Sequence, residues 1–193
     1  DSPWPLLRVK AIGERILQES GVACLVVRTS LIFGRGDGFV SGLTPFIRLF
    51  AIPGPSCGMI LRAQPIFVDD LARGLAGLCE RWAAKGVSGG GTFQVVEAGG
   101  PDVLSLEDIL DLMAAAQGMA LPRRGITGRW LAGSLRMAQR LGYRGLHGLV
   151  LPVLEAGASC SPRLFLEMSG LGRVLPFGPA IRQFIDDPTP QAV

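Results

Sequence analysis

Three short stretches hold the side chains that could do chemistry. Lys10 stands in PLLRVKAIGERILQES, where Leu6, Val9, Ile12, Gly13, Ile16 and Leu17 recur with the period of a helix. On spacing alone, Lys10 meets Glu14 four residues on as a surface ion pair. Arg28, Thr29 and Ser30 stand in VVRTSLIFGRGDGF, Val26 to Phe39. There an apolar run delivers a guanidinium and two hydroxyls to the mouth of a three-glycine loop. These groups can line a site through side chains or backbone, and Arg28 can equally anchor structure. The third stretch is LRAQPIFVDDLARGL, with Arg62 and Gln64 as candidate ligand contacts. Its Asp69 and Asp70 look like a carboxylate pair, but acidic residues between a strand and a helix are first of all N-caps.

Other chemistry is poorly served. Cys24, Cys57, Cys79 and Cys160 are far apart and form no CxxC pair, so metal ligation and a disulfide framework are not expected. His147 is the sole histidine and stands among glycines without a motif, so a catalytic triad is not expected either. A net charge of +3 over 193 residues is too mild to argue for nucleic acid. No run reaches the roughly 18 apolar residues of a membrane-spanning helix. Yet 48% of residues are hydrophobic, which predicts some surface meant for burial against a partner.

The elements that must position these groups follow from pattern. A helix is expected from Pro3 to Ser20, with Gly21 at C′, then a strand from Val22 to Phe33. Its CLVV run suits a sheet buried on both faces. An apolar helical segment follows at Leu43 to Phe50. A short strand, Gln64 to Val68, meets the helix LARGLAGLCERW, and a strand is expected at Thr92 to Glu97. Ser105 and Asp108 read as a capping box for a helix ending near Gln117. Strands alternating with helices predict an α/β fold with parallel pairing. After Pro122 the pattern is helical only. Between Gly128 and Arg144, the side chains of Arg129, Arg136, Arg140 and Arg144 fall within about 80° of one another. That arc is either a solvated face or a basic amphipathic surface for anionic lipid or an acidic partner.

Lys10 with GE, RTSLIFGRGDGF, AQPIFVDDLARGL, GTFQVVEAGGPDVLSLEDIL and LGRVLPFGPAIRQFI follow one another in an order that resembles a known family. The chain resembles the second half of an extended or atypical short-chain dehydrogenase/reductase. The branch it resembles contains the nucleotide-binding accessory subunit of mitochondrial complex I and its bacterial relatives. The resemblance implies the C-terminal part of a Rossmann-like parallel sheet in residues 1–120, and a mostly helical cap in residues 121–193. It implies cofactor contacts from Lys10, Arg28, Thr29 and Ser30, and a place on the matrix side of the inner membrane or in a bacterial cytoplasm.

Departures from the family matter as much. Lys10 matches the lysine of a Tyr-x-x-x-Lys pair, but Leu6 stands where the tyrosine would be, and a leucine carries no proton. Leu31 stands where sugar-nucleotide epimerases often place an asparagine. The strand, glycine turn and helix that hold a pyrophosphate are missing. The glycines of GRGDGF have the wrong spacing for that turn, and GGGTF precedes a strand instead of following one. The expectation is therefore a non-catalytic accessory chain that binds NADP or NAD only together with a separate N-terminal half. Beginning at Asp1, the chain is expected to be cut from, or to complement, a longer product. The alternative is a fragment of an NAD(P)-dependent reductase, epimerase or isomerase. Either way, a strand such as CLVV with no neighbour would leave several large side chains wet. At about 1.5–3 kcal/mol each, that rivals the stability of a whole domain.

Overall fold

A computed structural model describes residues 5–35, 37, 40, 47, 62–84, 92–119 and 160–186. Helix α1 spans Pro5–Glu19 and stops where Gly21 adopts φ 68°, the left-handed conformation a glycine permits. Strands β1 (Cys24–Thr29), β2 (Ile32–Phe33) and β3 (Ile66–Phe67) follow, and then helix α2 (Val68–Ala84). Strand β4 (Phe93–Ala98) leads to α3 (Leu106–Ala116), and the described chain ends in α4 (Arg163–Ser169) and α5 (Phe177–Asp186). No helix among the described residues is long and apolar enough to cross a membrane.

Both strand pairs are parallel, as the alternation of elements requires. β1 runs beside β4, Cys24 opposite Phe93 through to Thr29 opposite Ala98. β2 runs beside β3, Ile32 opposite Ile66. The long strand expected from Val22 to Phe33 is thus two strands, interrupted at Ser30 and Leu31. Ser30 still donates its amide to Ala98, but the Leu31 carbonyl turns to accept from Ile66, which hands the chain to the second pair. β3 is shorter than expected because Val68 already belongs to α2.

Side chains sort the layers. Leu25 and Val27 share a face with Val96 and Ala98 and pack with Leu71, Leu78 and Phe165 of α2 and α4. On the opposite face Arg28 reaches α1. A second cluster closes around the rings of Phe33, Phe67 and Phe177. Phe33 stands 5.6 Å from Phe67 and 4.7 Å, edge-on, from Phe177, with Ile109, Met113 and Ile181 around them. α2 and α4 approach so closely that a Cβ on Gly77 would lie 2.2 Å from the Ser169 carbonyl oxygen. α5 packs on α3 and α4 on α2, so residues 160–186 cover elements from the first part of the chain.

Two local expectations are corrected. Asp69 and Asp70 lie inside the first turn of α2 and not at its N-cap. Asp70, 1% exposed, pairs with Arg73 and accepts a 2.8 Å hydrogen bond from the Leu175 amide, so the carboxylate ties the C-terminal segment to α2. The stripe on α1 also behaves differently. Val9, Ile12 and Ile16 are 65%, 55% and 61% exposed. Leu7 and Glu14, the partly covered positions, lie roughly 170° round the helix from them. α1 therefore meets β1 through a narrow contact, and its apolar stripe points away from this chain's own sheet. By contrast the capping box is present: Ser105 Oγ accepts from the Asp108 amide at 3.1 Å and the Asp108 carboxylate accepts from the Ser105 amide at 2.8 Å. The segments Leu43–Phe50 and Gly128–Arg144, His147 and Cys57 lie outside the described residues, except that Ile47 is buried.

Candidate functional site

The candidate site is the carboxyl end of β1, where strand order carries Arg28, Thr29 and Ser30 out of the sheet beside α1. Arg28 is committed. Its Nη2 donates to Glu14 Oε2 at 2.6 Å and its Nε lies 3.1 Å from the same oxygen, a forked contact that holds α1 to β1. This bond, with help from Glu97 beside it, raises the Arg28 pKa. Glu14 is thereby taken from Lys10, so the expected Lys10–Glu14 pair is absent. Lys10 is exposed and makes no ion pair among the described residues.

Thr29 is exposed at the strand's end, whereas Ser30 is buried and its Oγ accepts a 3.0 Å hydrogen bond from the Gln64 amide. Gln64 is buried too. Its Oε1 accepts from the Cys160 amide at 2.5 Å and its Nε2 donates to the Gly100 carbonyl at 3.4 Å. Gln64 is therefore a tie between three segments and does not aim at a ligand, while Arg62 is exposed. Close by, the Ser161 amide donates to the Glu97 carboxylate at 2.8 Å. Cys160 packs so closely against Gly99 that a Cβ there would lie 2.3 Å from its sulfur. Burial, and then the charge of Glu97, push the Cys160 thiol up to about 11. Sequence reading missed this knot, because its members are 96 residues apart and no local pattern joins them.

The glycine loop answers for itself. Asp37 accepts from the Gly34 amide at 3.2 Å and the Val40 amide at 2.6 Å. Backbone donors that would face a phosphate in a cradle here face the chain's own carboxylate. Leu31 packs on the aromatic core. At the other end of the sheet, a cavity of about 380 Å³ is lined by Leu78, Arg81, Trp82 and Met168. It sits beside Gln94 near the start of β4, whose amide touches the Met168 sulfur, and so lies away from Thr29.

The comparisons with known proteins fit this arrangement. No family model matches the chain. It is 34% identical over 119 residues to "NADH dehydrogenase (ubiquinone) 1 alpha subcomplex subunit 9, mitochondrial" of Dictyostelium discoideum, covering 58% of this chain and 30% of that protein. The Mus musculus protein of the same name is 33% identical over 69 residues, 36% of this chain and 18% of its own length. The chain therefore spans under a third of these relatives. Among solved structures, a human epimerase family protein with NADPH superposes with a TM-score of 0.60 at 19% identity, covering 86% of this chain and 49% of that one. A nucleoside-diphosphate-sugar epimerase from Staphylococcus aureus gives 0.61 at 14% identity, covering 89% and 56%. These likenesses establish the fold. In sequence the chain resembles part of this complex I subunit, and in fold it resembles the Rossmann-like epimerase-family structures of the short-chain dehydrogenase/reductase type.

Proposed function

We propose that the chain is a non-catalytic accessory part of a membrane-associated respiratory assembly of the complex I type. The similarity to a protein named as a subunit of NADH dehydrogenase carries this reading. Leu6 in the tyrosine's place supports it, since α1 then offers no acid beside Lys10. In this reading residues 1–120 are the second half of a nucleotide-binding domain and residues 121–193 its helical cap. A nicotinamide cofactor, NADP or NAD, binds only when a partner supplies the first half. Lys10 and Thr29 then face the cofactor directly, while Arg28 and Ser30 contribute at the same strand end. The assembly sits on the matrix side of the inner membrane, with Arg129, Arg136, Arg140 and Arg144 toward anionic lipid. A tagged chain should co-migrate with the respiratory complex on native gels of detergent-solubilised membranes. Migration as a free chain in the soluble fraction would end the proposal.

A second reading makes the chain a fragment of an NAD(P)-dependent atypical reductase, epimerase or isomerase. The superposition on epimerases, one of them solved with NADPH, favours it. It requires oxidation or reduction of added NAD(P)(H) by the completed protein, and Leu6 argues against that. Under both readings Lys10→Ala weakens cofactor binding to the completed protein several-fold.

A further inference from the structure

α2 and α4 approach most closely through glycine. Gly74 and Gly77 of α2 leave room for the Phe165 ring and the Ser169 carbonyl of α4. Beyond Gly77 the glycines stop, and LCERWAA carries Leu78, Arg81 and Trp82 at helical spacing on one face. There the two helices enclose the cavity of about 380 Å³, between Leu78, Arg81, Trp82 and Ala84 of α2 and Glu167 and Met168 of α4. Small-molecule sites run from about 300 to 1,000 Å³, so the space suits a small ligand. Its walls are apolar: Leu78 is buried, and Trp82 and Met168 are half-buried. Its polar groups are unequal. The Glu167 carboxylate is matched by Arg163, whose Nε donates to it at 2.8 Å. The Arg81 guanidinium and the Trp82 indole N–H have no hydrogen-bond or ion-pair partner among the described residues. The place of Arg81 is set by Gly170, where a Cβ would collide with the guanidinium, so the head group lies against the end of α4.

We propose that this cavity binds a small monocarboxylate with an apolar body, of the fatty-acid class. The fork of a guanidinium matches the two oxygens of a carboxylate, and Trp82 offers an apolar face together with an N–H donor. A neutral apolar molecule would leave both donors unused. An organic cation would meet Arg81, while the carboxylate that could receive it, Glu167, is already held by Arg163. A multiply charged anion would find one unpaired arginine with Glu167 close by, so a single negative charge fits best. The proposal does not rest on the accessory-subunit reading. The cavity lies near the start of β4, at the other end of the sheet from Thr29, and its occupancy is independent of any nicotinamide cofactor.

Fluorescence titration of the full chain tests this. Trp4→Phe and Trp130→Phe together leave Trp82 as the sole tryptophan. Octanoate, added below its micelle concentration, should shift the Trp82 emission and saturate. 1-Octanol and octylammonium carry the same chain with no charge or the opposite one. Each should bind about tenfold more weakly or not at all, the factor that a hydrogen bond to a charged group supplies. Arg81 is exposed, so Arg81→Gln should keep the circular dichroism of the parent. It should bring octanoate down to the level of octanol and leave octanol unchanged, and Arg81→Lys should restore part of the difference. Equal binding of the three probes would make the cavity merely apolar and overturn the proposal. So would the absence of a saturable response to octanoate. Lower stability of Arg81→Gln with octanoate binding intact would also overturn it, since the guanidinium would then serve only the carboxyl end of α4.

Discussion

Gln64 Oε1 accepts a 2.5 Å hydrogen bond from the Cys160 amide, joining residues 96 apart in sequence at the carboxyl end of the sheet. Removing the acceptor leaves a half-covered amide unpaired, and Gln64 Nε2 no longer reaches Gly100. Gln64→Leu should cost about 1–3 kcal/mol in denaturant unfolding.

The same knot governs thiol chemistry. Cys79 is exposed, and Cys160, half-buried, has its pKa pushed up to about 11 by burial and Glu97. Site-resolved alkylation near neutral pH should modify Cys79 well before Cys160. Reaction at Cys160 should accelerate only as pH climbs toward about 11, because the thiolate is the nucleophile. The linkage has one sign. An unfolded thiol ionises near its ordinary value, so the folded state loses relative stability as pH rises from there through the folded pKa. Gln64→Leu should bring Cys160 forward in the order of alkylation.

Much of the fold is readable from sequence, and what is not has a physical pattern. The capping box at Ser105 and Asp108 and the glycine stop at Gly21 are local chemistry within four residues, and both stand where sequence puts them. Parallel pairing also follows from the order of elements. Asp70 departs from its expected capping role because its partner, the Leu175 amide, is 105 residues away and outcompetes the cap. Lys10 and Glu14 show the same thing at the candidate site. An i,i+4 pair is worth a few tenths of a kcal/mol, and a forked arginine contact from the neighbouring strand displaces it. The resemblance points to Arg28, and only tertiary geometry shows which group it holds.

Because the Arg28–Glu14 contact is more than half exposed on the arginine side, its loss should cost no more than about 1 kcal/mol globally. Its effect is local instead. Arg28→Ala should speed amide exchange through α1 while α3 keeps its protection, and high salt should mimic the substitution in the native chain. Equal loosening of α1 and α3 would show that the contact supports the whole fold.

At the start of α3, hydrogen bonds from the Ser105 hydroxyl and amide hold the Asp108 carboxyl below its ordinary range. A depressed carboxyl stabilises the native state above its unfolded pKa, and that contribution disappears as pH falls through the folded value. Ser105→Ala should lower stability by about 1 kcal/mol at neutral pH. The difference from the parent should shrink once acid protonates Asp108, because the charge-assisted bond from the Ser105 hydroxyl to the carboxylate, which only the parent makes, is then weakened. Parallel melts at neutral and strongly acidic pH read this directly.

Two glycines in helices predict opposite signs for the same substitution. Gly13 lies in α1 with nothing within 4 Å of where a Cβ would stand. Gly13→Ala should therefore stabilise, by about 0.5–1 kcal/mol, through helix propensity alone. Gly77 gains the same propensity, but its Cβ would meet the Ser169 carbonyl oxygen at 2.2 Å. That oxygen belongs to the backbone at the end of α4 and cannot rotate aside, so α2 and α4 must separate. Overpacking of this kind typically costs about 1–3 kcal/mol, more than the propensity gain. Gly77→Ala should lower the unfolding midpoint and expose Phe165, which seats between the two helices against Gly74. A neutral result at Gly77 would mean that α4 is not clamped onto α2, and the covering role of residues 160–186 would have to be withdrawn.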